Sequence, residues 1–595
     1  MAQTEARKTL EVRHFSRLLY RTCLIGGALG CVATVYQIVG LLGYLNHPVA
    51  IFFLVGAVLG AAGYSLVVFF SVKETTLVGR ASWQAILCFM IVEVILGLVP
   101  PTTRDELTHH LAIPRLYADH GRIFEIPFSL PSYYPMLLDM LYVPFVQWEW
   151  DFVPKLVHGW FGFLTGLLLY GYLSLRLSAI YGLLGWFFFV STPIVVRLSS
   201  QAYVDLGVTF FSTASLLGIL LWKETQSQRW LVVAGVMAGF ALATKPNGIL
   251  FFFLVSLLLL GQMSATGPIR LWWPKGVLFA VCALAVFAPW LLRNFIWTGN
   301  PLFPFFANLF GGGGQVGGDS GLDILAIRRF LYGEDWWQIA ALPLRIFFWG
   351  RDDQPQRFDG VLNPMLLVFL PWAFRGKWQE EKRFLFFFAL CYLLYAVFLT
   401  DLRIRYVLPI LPPLVILLVY AIHNIYLRIL KPWVLVAVVT GLVTMNLIYV
   451  GLYFERVSPV AYVLGRESRE QYLTRALAEY PVFQYINGNL PVSARVYLLF
   501  IGRRSYYCRR DYFHDNGELP WFLVQAVKNS HDPQSLEVEL KHKRLTHLMV
   551  REDLLQKFLK DNLPEQKLEL WQAFAKRNLT GVFHARGYSL YQIHA

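Results

Sequence analysis

The chain has 595 residues, 56% of them hydrophobic and only 15% charged, with a net charge of +14 and a mean hydropathy of +0.49. A soluble globular protein carries about a quarter charged residues, so the composition excludes an ordinary soluble enzyme. The basic residues sit in short patches between apolar runs, which argues against nucleic acid as a partner and for orientation in a membrane.

In chain order, the first 21 residues carry Arg7, Lys8, Arg13, Arg17 and Arg21, which places this end in the cytoplasm. The first apolar run is long and lacks a small-residue cleavage site, so it reads as a retained span. Further spans are predicted near 49–72, 81–100, 153–174, 179–197, 203–222, 230–246, 247–263, 276–292, 361–374, 384–400, 406–427 and 432–454. With the first, near 22–45, they make about thirteen. Arg176, then Lys223 with Arg229, then Arg270 with Lys275, the group Arg375 to Arg383, and Arg428 with Lys431 fall on one side, the cytoplasmic one. The segments 101–152, 198–203, 293–360 and everything after about 455 then fall outside. Beyond 456 the chain becomes charged. Helical periodicity runs through 468–488, and β-rich runs appear at 495–500, 546–550 and 588–593. The expected architecture is a polytopic α-helical membrane protein, 1–455, followed by an extracytoplasmic α/β domain, 456–595.

Of the six cysteines, all but Cys508 fall in apolar segments, without zinc spacing, and read as small hydrophobes. The glycine run from Gly311 to Gly314, with Gly317 and Gly318, reads as a loop. A phosphate cradle would need a preceding strand, a following helix and a lysine.

The most informative stretch is Pro100-Pro101-Thr102-Thr103-Arg104-Asp105-Glu106-Leu107-Thr108-His109-His110, directly after a predicted span. Two adjacent carboxylates at the mouth of a helix bundle suit a general base and a metal-binding or orienting group. The same residue types also cap helices. His109 and His110 stand as acceptor contacts, metal ligands or plain surface histidines. An amphipathic stretch from Leu111 to Tyr117, then Pro127, Pro131 and Pro135 among tyrosines, suits an element lying on the membrane face. Asp205 heads an apolar run, where an acid is costly unless paired, so it is either functional or half of an ion pair. Asp352, Asp353 and Asp401 read as solvated loop charges. Trp336 and Trp337 read as interfacial anchors.

These motifs, in this order, resemble the GT-C glycosyltransferases, which include protein O-mannosyltransferases and lipid A aminoarabinose transferases. The resemblance rests on Asp105-Glu106, Ser200 to Asp205, Ala243-Thr244-Lys245-Pro246-Asn247-Gly248, Pro289 to Asn294 with Thr298 to Pro301, and Arg403-Ile404-Arg405-Tyr406-Val407-Leu408-Pro409. It covers roughly 80–425. More helices precede the Asp-Glu loop than is usual in the family, and the loop also carries His109-His110.

The resemblance implies an inverting transfer of a sugar from a polyprenyl phosphate to an outside glycan, lipid or protein, in a bacterial inner membrane. Asp105 would be the base, with Glu106 orienting it or helping to hold a divalent metal, which the sequence allows without requiring. Arg293, Arg403, Arg405 and Lys245 would bind the donor phosphate, with Asp205, His109, His110 and Tyr406 in support. Each cation alone also fits interfacial snorkelling. The rivals are a lipid-linked oligosaccharide flippase or other transporter, a polysaccharide polymerase or ligase, and an inactive binding subunit. A transporter would concentrate ionisable residues near the bilayer midplane, whereas these cluster at one end of the predicted spans.

Overall fold

A computed structural model describes residues 2–72, 76–264, 268–310, 324–428, 432–517 and 519–594. The glycine run 311–318 lies outside the described residues. Among the described residues seven helices are long and apolar enough to cross a membrane: Arg13–Leu41, Pro48–Phe70, Leu77–Gly97, Phe152–Arg176, Asp205–Thr225, Trp272–Thr298 and Ile404–Leu427. An eighth span is the pair Ala179–Ser191 and Pro193–Ser199, bent by 68°. The bend follows from Pro193, which forces Thr192 into an extended conformation and restarts the helix.

Among the described residues, this is fewer than the expected thirteen or so. Gln228–Thr244 is helical where a span was predicted but has only 17 residues, and Gln379–Leu399 spends its first turn on Glu380, Glu381 and Lys382. The stretch 361–374 breaks into two turns, Met365–Val368 and Leu370–Ala373, each begun by a proline.

Burial sorts the spans. The helix Asp205–Thr225 is enclosed on all sides from Asp205 to Trp222, the mark of a central helix. Pro48–Phe70, Leu77–Gly97 and Trp272–Thr298 keep most of their apolar surface open, as lipid-facing helices do. Close approach uses small residues. A Cβ on Gly235 or Gly239 would stand 2.7 Å from the Phe279 carbonyl oxygen or 2.5 Å from that of Ala283, so this Gly-xxx-Gly stripe lets two helices touch through their backbones.

The segment after Gly97 is folded rather than a plain loop. A π-helix, Glu106–His110, leads into the helix Ala112–His120, which closes on Gly121 in the left-handed region (φ +66°). The helix Leu137–Gln147 then buries nearly every side chain, so this last part belongs to the core and not to the membrane face.

The C-terminal part holds a five-stranded sheet: β1 (Arg495–Leu499), β2 (Asp511–Phe513), β3 (His547–Arg551), β4 (Leu579–Ala585) and β5 (Tyr588–Ile593). The order is β2-β1-β3-β5-β4, with β1 parallel to β2 and β3, and β5 antiparallel to β3 and β4. The three strands expected from hydrophobic runs are β1, β3 and β5. The expected helix 468–488 is split into Arg469–Ala476 and Tyr480–Asn489, the second restarted by Pro481.

This domain rests directly on the segment 101–152. Arg469 forms a two-pronged ion pair with buried Asp151, at 3.1 and 2.5 Å. The Tyr507 hydroxyl donates to the Pro101 carbonyl at 2.7 Å, and the Tyr506 amide to the Leu107 carbonyl at 3.1 Å. Arg469→Ala leaves Asp151 buried without its cation, a loss of about 1–3 kcal/mol. Its expected result is faster amide exchange across 469–513 with the membrane helices unchanged, read by hydrogen-exchange mass spectrometry. Unchanged protection there would show that the pair does not hold the domain down.

Candidate active site

The π-turn sets the site. Its wide turn directs Asp105, His109 and His110 toward one cavity and Glu106 inward; such turns recur at functional sites. Glu106 is fully enclosed. Its Oε2 accepts from the Thr102 amide (3.2 Å), the Thr103 amide (2.9 Å) and the Thr103 hydroxyl (2.7 Å), and its Oε1 from the Ala202 amide (2.7 Å). With both oxygens engaged by backbone donors, Glu106 ties the 102–106 turn to the 200–205 loop. Among the described residues no group of three His, Cys, Asp or Glu is placed to hold a metal ion.

Asp105 meets Arg405, Nη1 to Oδ2 at 2.5 Å. Burial, the largest single influence, would raise the Asp105 carboxyl, but the charge of Arg405, the charges of His109 and His110 and the Arg405 hydrogen bond together outweigh it and hold the carboxyl well below the usual carboxylate range. Arg405 is also flanked by the rings of Tyr203 and Tyr406, 5.1 and 5.0 Å from its guanidinium.

Lys245 reaches Asp205 at 2.7 Å, so Asp205 is paired. The turn that presents Lys245 depends on Gly248, where a Cβ would stand 2.2 Å from the Ala241 carbonyl oxygen. His110 pairs through Nδ1 with Asp139 Oδ1 at 2.8 Å, and the ring of His109 lies 4.1 Å from that of His110. Burial lowers both histidines to about 3 and raises Asp139 to about 8.

Two cavities share Asp105 and Arg405 as common wall. The smaller, about 270 Å³, is lined by His109, His110, Asp139, Lys245, Tyr134 and Tyr406. The larger, about 640 Å³, is lined by Arg104, Lys155, Arg197, Asp359 and Arg403, and by Tyr472 and Arg475 from the C-terminal domain.

Arg403 reaches Asp401 at 3.6 Å and Asp359 at 3.9 Å. Arg293 does not reach either cavity. It is buried between Trp290 and Trp297 and donates to the carbonyl of Tyr133 at 2.8 Å, so it braces the 133–134 turn instead of facing a phosphate. Asp352 is not a solvated charge, being 2% exposed, whereas Asp353 is 70% exposed. With Asp359 they surround buried Arg197 at 3.2, 2.8 and 2.9 Å, while Asp401 approaches Arg328 at 4.0 Å.

Sequence reasoning missed Asp139 and Arg197. The signal for each was present, an ionisable residue inside an apolar run.

The fold is that of a polytopic membrane protein and is similar to that of the GT-C glycosyltransferase ArnT. Residues 153–292 match the family model described as dolichyl-phosphate-mannose-protein mannosyltransferase. Apo ArnT from Cupriavidus metallidurans aligns with a TM-score of 0.54 and 15% identity over 85% of this chain and 97% of that one. The same enzyme bound to undecaprenyl phosphate aligns at 0.49 and 14% identity, over 86% and 97% of the two chains. The archaeal oligosaccharyltransferase AglB from Archaeoglobus fulgidus, in complex with an inhibitory peptide and a dolichol-phosphate, aligns at 0.43 and 11% identity, over 79% and 69%. Comparison with curated protein sequences gives no match.

Proposed function

We propose that the protein transfers a glycosyl group from a polyprenyl-phosphate donor to an acceptor at the end of the bundle that carries the C-terminal domain. The observation that carries this reading is the meeting of two cavities at one carboxylate–guanidinium pair, Asp105 and Arg405. A transfer between two substrates needs two binding spaces that touch where the bond is exchanged. The match of residues 153–292 to a family acting on a dolichyl-phosphate sugar supports the donor class.

The departing phosphate gains negative charge as the glycosidic bond breaks, so cations at the junction stabilise it. Arg405 suits this: its buried Nε has no hydrogen-bond acceptor among the described residues, and neither has that of Arg403. Lys245 adds a third positive charge on the smaller cavity. Asp105 accepts a hydrogen bond from the attacking hydroxyl or amine and aligns it. By the resemblance to GT-C enzymes, the displacement is direct and inverts the anomeric centre. The site end faces the periplasm of a bacterial inner membrane, with the N-terminus in the cytoplasm, and the C-terminal domain walls the larger cavity through Arg475.

The test uses the full chain in lipid nanodiscs with undecaprenyl phosphate linked to mannose, glucose or aminoarabinose, and a crude envelope extract as acceptor source. Released undecaprenyl phosphate is measured by mass spectrometry. Release with at least one donor, reduced about a hundredfold or more in folded Asp105→Asn, is the expected outcome. No release with any donor overturns the transferase reading.

A further inference from the structure

The Asp105–Arg405 pair leaves the proton of the attacking group without a good destination. At 2.5 Å from a guanidinium, the Asp105 charge is already neutralised, and a carboxylate so stabilised is a weak base. The same cavity wall holds a second arrangement that neither the transferase reading nor the family match uses. His110 and Asp139 come from different elements, the π-turn Glu106–His110 and the helix Leu137–Gln147, and both are buried. Asp139 fixes the ring through Nδ1 at 2.8 Å, while the other nitrogen, Nε2, is buried with no hydrogen-bond partner among the described residues. A buried imidazole nitrogen left unpaired costs free energy unless something pairs with it during the working cycle. A carboxylate behind one nitrogen and a free lone pair on the other is the arrangement that makes histidine a base.

We propose that His110, oriented by Asp139, takes the proton from the acceptor, with Asp105 aligning the acceptor beside it. This inference rests on the transferase reading above. The acceptor O–H or N–H bond breaks and its proton passes to His110 Nε2. The freed electron pair bonds to the anomeric carbon, the bond from that carbon to the phosphate oxygen breaks, and its electrons leave with the polyprenyl phosphate. In the starting state the Nδ1 hydrogen points to the Asp139 carboxylate and Nε2 carries the lone pair.

The charged and titratable groups around the pair include His109 on the same turn, Asp105 bound to Arg405, Lys245 bound to Asp205, Tyr117, Tyr142 and His158 from the helices packed against it, and the ring of Tyr203, 5.4 Å from that of His110. Burial favours the neutral pair, and Asp139 is raised to about 8. Below that pH the pair already holds the extra proton and Nε2 is not free to accept another. Above it the base form prevails, so the rate rises with pH through about 8.

The experiment is the pH profile of undecaprenyl phosphate release by the full chain in nanodiscs, at saturating donor, with whichever undecaprenyl-phosphate sugar of the panel turns over. The expected wild-type profile climbs through about pH 8. His110→Gln and Asp139→Asn lower kcat by about a hundredfold, leave the KM for donor within about threefold and lose the climb. His110→Ala regains part of its rate when imidazole is added, which a merely structural role would not give. A wild-type profile flat across this range, or variants that keep the climb, overturns the base assignment and leaves the transferase reading standing. No wild-type release with any donor overturns both.

Discussion

Arg405→Gln is expected to slow undecaprenyl phosphate release by about a thousandfold, more than any other single change at the phosphate end of the site. Two losses combine. The departing phosphate loses a cation that borders both cavities, and glutamine, though polar, brings no charge to offset the one that develops. Asp105 also loses the partner that holds its carboxyl below the ordinary range, so its charge and orientation change together. Because the two residues act as one unit, the double variant Asp105→Asn with Arg405→Gln should be little slower than the slower single variant. Single-turnover release in nanodiscs measures this directly. A loss under tenfold, or full multiplication of the two single effects, would show that Arg405 holds structure and not the leaving group.

The second large effect is on stability. Arg197 sits in the short helix after the bend, and its guanidinium meets Asp352, Asp353 and Asp359. These aspartates lie in a loop that turns through left-handed backbone at Asp353, Phe358 and Asp359 (φ +60°, +67° and +39°). Such a conformation persists only where its surroundings hold it. Arg197→Met removes the centre and leaves Asp352, whose side chain is 2% exposed, and Asp359, at 16%, without their shared cation. Breaking a buried ion pair in this way costs about 3–5 kcal/mol. Arg456 also touches Asp352 and Asp353 but is itself 55% exposed, so Arg456→Ala should cost under about 1 kcal/mol. Thermal unfolding in detergent, followed by tryptophan fluorescence, separates the two. Equal midpoints for both variants would refute the central role of Arg197.

By itself the sequence determined what hydrophobicity and local chemistry decide. A charge deficit over hundreds of residues made the chain a membrane protein, because burying so few polar groups leaves most of the surface for lipid. Short runs of β-branched, aromatic and other apolar residues marked β1, β3 and β5, and β1 and β3 are buried along nearly their whole length. The three-residue β2 and the half-exposed β4 carried no such signal. Asp105, Glu106, Lys245 and Arg405 were visible as polar residues at the ends of apolar runs, where isolated charge is costly.

Tertiary structure alone decided which charges face one another. Arg293 and Arg405 look alike in sequence, each beside an apolar helix, yet one is clamped by tryptophans and a carbonyl while the other meets Asp105. Glu106 and Asp105 are neighbours, but the π-turn sends one to backbone amides and the other to the junction of two cavities. His110 and Asp139 stand 29 positions apart, and no local pattern joins them. Their distance is set by how the helix Leu137–Gln147 packs beneath the π-turn, and packing is a property of side-chain shapes brought together from far along the chain.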